Sequence, residues 1–412
     1  MHNIRLLKIL SDFNLKNLGW SFFGIISAAF ILFVSNILVA IDLPTYEYGR
    51  ITFITTFAQF LLLFNIFGMD VSLIRSVNTE QKKLSSISNS LIFASVTSSF
   101  LILVFFAAIK LGLVPTPQIA PALMVLCLSI FLTFRNIADS SLRVSGKYVS
   151  QALAKILETG TFFALILLLP RWFRLDSQWI IGITTLGYLM FFVFSIFFIK
   201  KKISKPNLLI FKEQLKFGGS LFVANLIGFL AGQADKLLIG GKIGFTDLGL
   251  YNLYYLSSTL VVINLSSVFI NVAFPDFVKF GQSVEFRHKM LQWVRDFSYV
   301  MFFGVVIIIL STFALIGEKY SSSLVLIIGF SLLAAIQFKV SVCHSMISAL
   351  NKRIFDRYVI INIVITIVYV AAGIGLFAMN KINIPNILLL NIAMALVTNM
   401  IQNRLIANSD DK

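Results

Sequence analysis

Charge is scarce in this sequence. Of its 412 residues only 13% are Asp, Glu, Lys or Arg, and just 18 are acidic. A soluble domain carries roughly 25% charged residues, so this chain lacks the polar material to clothe a water-facing surface of its size. Cysteine is nearly absent as well. Cys127 and Cys343 both fall in apolar runs, which excludes a disulfide framework and leaves two small buried hydrophobes. The three histidines, His2, His288 and His344, are scattered, and no HExxH, CxxC or spaced carboxylate cluster accompanies them. Neither a metal site nor any cofactor is therefore expected. The eight prolines lie at or near the ends of apolar runs, where a missing amide and a clash with the preceding turn do least harm. No cleavable signal is expected either. Arg5, Lys8 and Lys16 precede an apolar stretch over 18–41, longer than a signal core and without a small-residue cleavage site.

Apolar length is what the chain has in abundance: 58% of residues are hydrophobic and the mean hydropathy is +0.91. About 20 apolar residues cross a bilayer as a helix. Runs of that order lie at 18–41, 51–69, 90–111, 119–138, 150–169, 178–199, 217–240, 250–274, 297–317, 322–346, 357–379 and 384–406. They predict an all-α integral membrane protein of about twelve spans.

The formal charge of +16 is not that of a nucleic-acid binder, whose basic residues cover a folded polar surface. Here Lys and Arg sit in short connectors. About 24 of the 34 lie on one side, in the N-terminus, the connectors 70–89, 139–149, 200–216, 275–296 and 347–356, and the C-terminus, with the flanking Arg135 and Arg357 counted. The other side holds seven: Arg50, Lys110, Arg171, Arg174, Lys242, Lys319 and Lys381. The positive-inside rule makes the basic side cytoplasmic, with both termini there.

The most basic connector, Lys200 to Pro206, divides the chain into residues 1–199 and 217–412, six spans each. The segment 200–216 joins them as a linker. Within it Leu208, Phe211 and Leu215 share one face and Lys212, Glu213 and Lys216 another, the pattern of an interfacial amphipathic helix. Connector 275–296 has a similar mixture. The halves read as parallel repeats, because Gly19 and Gly219, Phe22 and Phe222, and Gly49 and Gly249 match at an offset of 200.

Charges within the spans are candidates for a transport site, since each costs about 2.5–3.5 kcal/mol near a helix centre and so faces protein or water. Asp235 and Lys236 lie toward the outer end of the seventh span. Lys155 and Glu158 share a face of the fifth at i,i+3, a spacing suited to a structural ion pair. Lys339 has no acid three or four residues away, and its stem is long enough to snorkel part of the way to the surface. Arg50, Arg135 and Arg143 sit at span ends, as interfacial anchors do. Tyr251, Tyr254 and Tyr255 cluster where an aromatic belt belongs. No outer connector exceeds about a dozen residues, which leaves no room for a catalytic domain; an enzyme would need converging acid and base groups that are not seen.

Two stretches carry a family resemblance. The first reads Asn17-Leu18-Gly19, Tyr46-Glu47-Tyr48-Gly49, then Gly68-Met69-Asp70 and Arg75; the second reads Phe217-Gly218-Gly219, Gln233-Ala234-Asp235-Lys236, Gly249-Leu250-Tyr251 and Pro275. Together they resemble Wzx-type oligosaccharide flippases, over some 130 residues in pattern and the whole chain in layout. The resemblance implies two six-helix lobes forming a V-shaped central cavity, as in the multidrug/oligosaccharidyl-lipid/polysaccharide (MOP) exporter superfamily. It implies an undecaprenyl-pyrophosphate-linked O-antigen-like or other polysaccharide repeat unit as substrate. A coupling ion, H+ or Na+, and a polysaccharide polymerase as partner are implied with it. On this reading the cavity candidates are Asp235, Lys236, Lys339, Lys155, Glu158, Arg50 and Arg135, the cations favouring the pyrophosphate. Multidrug (MATE-type) antiporters resemble the chain in layout but typically carry a proline in the first span, and 18–41 has none. Lipid II flippases usually have fourteen spans. A membrane-embedded sugar polymerase or glycosyltransferase usually shows a long outer loop with catalytic residues.

Overall fold

A computed structural model describes residues 15–75, 80–112, 119–199, 205–281, 283–320, 322–350 and 352–407. Every regular element among them is helical: α1 (Leu15–Asp42), α2 (Thr45–Ile66), α3 (Met69–Arg75), α4 (Glu80–Lys110), α5 (Ile119–Val144), α6 (Tyr148–Leu168), α7 (Ser177–Ile199), α8 (Leu208–Lys242), α9 (Phe245–Tyr255), α10 (Val261–Phe280), α11 (Val284–Ile316), α12 (Leu324–Ala349), α13 (Lys352–Ala378) and α14 (Ile384–Ala407). A π-helical turn over Leu256–Leu260 joins α9 to α10 as one span. Among the described residues twelve helices are long and apolar enough to cross a membrane. They correspond one for one to the expected spans, and the protein is a multi-pass membrane protein. Phe30, Phe100, Leu103, Phe303 and Ile367 are among the many large apolar side chains left on the outside, where lipid rather than water receives them.

Two connectors differ from expectation. Residues 208–216 are not a separate interfacial helix but the opening turns of α8. That helix runs unbroken for 35 residues, about 52 Å at 1.5 Å per residue, against a hydrocarbon core of about 30 Å. Asn207 starts it by accepting from the amides of Leu209 at 3.0 Å and Ile210 at 3.3 Å. Lys212, Glu213 and Lys216 are exposed there, while Gln214 is buried and accepts from Asn89 of α4 at 3.3 Å. Likewise 275–296 is the end of α10 and the start of α11, parted only around 281–283. Ser283 caps α11, its hydroxyl accepting from the Phe286 amide at 3.4 Å.

The chain forms two compact units: Met1–Val39 with Ile54–Gly228, and Ala40–Phe53 with Phe229–Lys412. In the first, Leu73, Ile87, Ala138, Leu142, Ala154, Phe191 and Ile199 form a buried core. Phe67 and Gly68 turn the chain at positive φ, 45° and 71°. There the backbone meets α8 so closely that a Cβ on Gly68 would lie 2.6 Å from the Gly218 carbonyl oxygen, and one on Gly218 2.6 Å from that of Phe67. In the second unit α12 packs against α10, α11 and α14. Its Phe330 stacks on Tyr254, centroids 5.2 Å apart. The repeat glycines Gly49 and Gly249 touch reciprocally. A Cβ on either would strike the backbone at residue 245 or 45, and would reach 2.8 Å or 3.1 Å from the other glycine's nitrogen. The offset of 200 thus describes a local two-fold contact between the first turns of α2 and α9.

Candidate functional site

Among the described residues each unit holds a cluster of charged and polar side chains within its spans. In the first, α5 and α6 run antiparallel. Arg135, Asp139 and Arg143 recur on α5 at four-residue intervals, and Gln151, Lys155 and Glu158 share one face of α6. Arg135 grips Glu158 in a two-pronged pair, Nε to Oε2 at 2.9 Å and Nη2 to Oε1 at 3.3 Å. Its guanidinium also lies 4.7 Å from the Phe191 ring centroid. Asp139 accepts from Gln151 at 2.8 Å and pairs with Arg143 at 2.6 Å and Lys155 at 3.7 Å. Lys155 and Glu158 therefore both find partners on α5, which corrects the pairing expected from their spacing alone. Arg135 is largely buried rather than an interfacial anchor. Nearby on α3, outside the spans, burial pushes the Asp70 carboxyl above its ordinary range while Arg143 draws it down. Each of the three cations lies against Glu158 or Asp139, which makes the cluster a poor attractor for an anion.

The second unit centres on Asp235, which is buried. Its carboxylate accepts from the Lys236 amide at 2.7 Å, from Asn391 Nδ2 of α14 at 3.0 Å and from the Tyr251 hydroxyl of α9. Tyr369 of α13 donates to Asn391 Oδ1 at 2.6 Å. Lys236 is buried too, its ammonium 3.8 Å from the centroid of the Tyr255 ring. Adjacent residues point about 100° apart on a helix, which is why Asp235 and Lys236 serve different neighbours. The belt assignment for the tyrosines fails here. Tyr251 and Tyr254 are wholly buried, and the Tyr254 hydroxyl accepts from the Ser323 amide at 2.9 Å. Lys339 is half-buried, 5.8 Å from the Tyr299 ring centroid, and makes no ion pair among the described residues. Arg50 forms a loose pair with Glu47 at 4.0 Å.

Sequence reasoning missed Tyr251, Tyr369 and Asn391. Neutral polar residues carry no large burial cost to flag them, and they lie 16 to 156 residues from Asp235 in the chain. The hint was present: two tyrosines and an amide within apolar spans.

The twelve-helix fold is one shared with solved membrane transporters. Solved structures of like architecture include a MOP superfamily transporter from Pyrococcus furiosus (TM-score 0.63, 15% identity, 97% of this chain and 96% of that one). They also include an inward-facing MATE family multidrug resistance transporter (TM-score 0.62, 13% identity, 95% and 96%). A MATE protein in complex with MaD3S is similar as well (TM-score 0.60, 12% identity, 96% of each). Residues 43–325 match the profile of the polysaccharide biosynthesis protein family, and the chain belongs to that family. Teichuronic acid biosynthesis protein TuaB of Bacillus subtilis is 37% identical over 68 residues, 16% of this chain and 14% of that protein's length.

Proposed function

We propose that the protein is a flippase for lipid-linked oligosaccharides. It moves polyprenyl-pyrophosphate-linked repeat units from the cytoplasmic leaflet to the outer one by alternating access, with both termini in the cytoplasm. The observation that carries this reading is a polysaccharide biosynthesis family profile on a MATE-type transporter fold. A sugar headgroup cannot cross hydrocarbon unaided, so polymer export needs such a protein. The spans supply cations for the pyrophosphate. Arg135 and Lys155 are already matched by Glu158 and Asp139. Lys339, lacking a carboxylate partner among the described residues, is the stronger phosphate contact, with Lys236 and Arg50 secondary. Coupling to an ion gradient falls to Asp235, the carboxylate at the heart of the second cluster.

Deleting the gene tests the reading. Lipid-linked units should accumulate on the cytoplasmic leaflet and the surface polymer should vanish, with drug sensitivity unchanged. Cells sensitised to cationic dyes with the polymer intact would favour multidrug export instead.

A further inference from the structure

A second polar group in the same unit has no part in the account above. Tyr358 of α13 accepts from Gln402 Nε2 of α14 at 3.0 Å, and its hydroxyl lies 3.2 Å from His344 Nδ1 of α12. Gln402 also donates to the Val340 carbonyl at 3.1 Å, and Asn403 donates to Asn399 at 2.8 Å. His344 is exposed at the basic end of its span. Its chain neighbour Cys343 lies near Lys339 of α12, whose other charged and aromatic neighbours are Arg295 and Tyr299 on α11.

The two groups are joined by helix register. Tyr358 and Tyr369 are eleven residues apart on α13; their partners Gln402 and Asn391 are eleven apart on α14, in the opposite sense. The two helices therefore run antiparallel with an unchanging register over about 16 Å. That register sets Asn362 level with Thr398. On α13 the polar positions 358, 362, 366 and 369, and on α14 the positions 391, 398 and 402, fall at the spacings of one helix face. Thr366, Thr398 and Gln402 are buried. Thr398 Oγ1 and Gln402 Oε1 have no hydrogen-bond partner among the described residues. Buried polar atoms are hydrogen-bonded as a rule; these two, level with α13 in the shared register, have hydrogen-bonding capacity to spare.

We infer that the α13–α14 seam is a proton path joining His344 at the cytoplasmic end to the Asp235 carboxylate, so that the coupling ion is H+. The inference deepens the transport reading and rests on it only for the word coupling. His344 receives a proton from bulk water on one ring nitrogen and releases one to the seam. Water held by Tyr358, Thr398, Asn362 and Thr366 passes it on, each oxygen accepting one proton and giving up another. It ends on an Asp235 oxygen, converting carboxylate to carboxylic acid, and one positive charge has moved. The surroundings of Asp235 do not suit Na+. A hard cation needs a shell of oxygen acceptors, whereas the Lys236 amide, the Tyr251 hydroxyl and the Asn391 amide all present hydrogens to this carboxylate.

The test is infrared spectroscopy of the full-length protein in nanodiscs after a pH jump, following the carboxyl band that Asp235→Asn abolishes. Thr398→Val keeps the shape but removes the hydroxyl. It should slow protonation of Asp235 by about tenfold, the effect of about 1.4 kcal/mol on the barrier. His344→Leu should slow it similarly, and Thr398→Ser should restore it. Unchanged rates in both Thr398→Val and His344→Leu, with the folded protein confirmed by gel filtration, would overturn the path. So would a shift of the Asp235 band by Na+ at constant pH. Export of the surface polymer is scored separately. Normal protonation kinetics with no polymer translocation would sink the flippase reading and leave the seam standing.

Discussion

Replacing Glu158 with glutamine removes one charge from a buried, two-pronged pair and leaves the Arg135 guanidinium without its counter-ion. The side chains are only 20% and 13% exposed, so solvent offers little compensation. Removing one partner of such a pair typically costs about 3–5 kcal/mol, because the survivor is a buried unmatched charge. Asp139, one turn along α5, already serves Arg143 and Lys155 and has little to spare. Replacing both residues, as Arg135→Met with Glu158→Leu, removes the unmatched charge and should recover most of the loss. The assay is thermal unfolding of purified protein in one detergent, alongside membrane abundance and surface polymer. The single variant should melt well below the wild type, and the double variant should return toward it with transport per molecule intact. Wild-type stability in Glu158→Gln with transport lost, and no recovery in the double variant, would refute the structural role. It would return the pair to the substrate path.

Three further outcomes are expected. Gly249→Ala should destabilise by about 1–3 kcal/mol, as overpacking does, because its new Cβ would strike the Thr45 carbonyl beside Gly49; the same substitution at Gly228, where nothing lies within 4 Å, is the matched control in the melting assay. Lys339→Ala should cut surface polymer at normal protein level, and Lys339→Arg should keep part of it, since the charge remains; equal transport by both would remove Lys339 from the path. In a background lacking Cys127 and Cys343, a cysteine at Thr246 should react with an impermeant thiol reagent from outside intact cells and one at Ser283 should not, the reverse pattern overturning the orientation.

The spans were legible because a run of about 20 apolar residues has few other uses. Where they begin and end was less so. The start of α8 depends on Asn89 reaching Asn207 and Gln214, 118 and 125 residues away, and α10 and α11 continue through residues that read as a polar connector. Charges announced themselves by their cost, so Asp235, Lys236, Lys155 and Glu158 could be singled out as buried polar candidates. Their partners could not, since a same-helix spacing such as Lys155 to Glu158 says nothing of Arg135 and Asp139 on the neighbouring α5. The offset of 200 between Gly49 and Gly249 was visible as a repeat, but that the two glycines touch required the fold. Tyr251 was read as a belt residue because position along a span is legible while the direction of a side chain is not.

The most direct measurement uses purified protein in vesicles carrying a lipid-linked oligosaccharide in the inner leaflet, with an impermeant glycosidase added outside. The protein should speed exposure of the sugar well beyond that in protein-free vesicles, and an imposed pH gradient should change the rate in wild type but not in Asp235→Asn. Exposure no faster than in protein-free vesicles, with the protein folded and correctly inserted, would contradict the account.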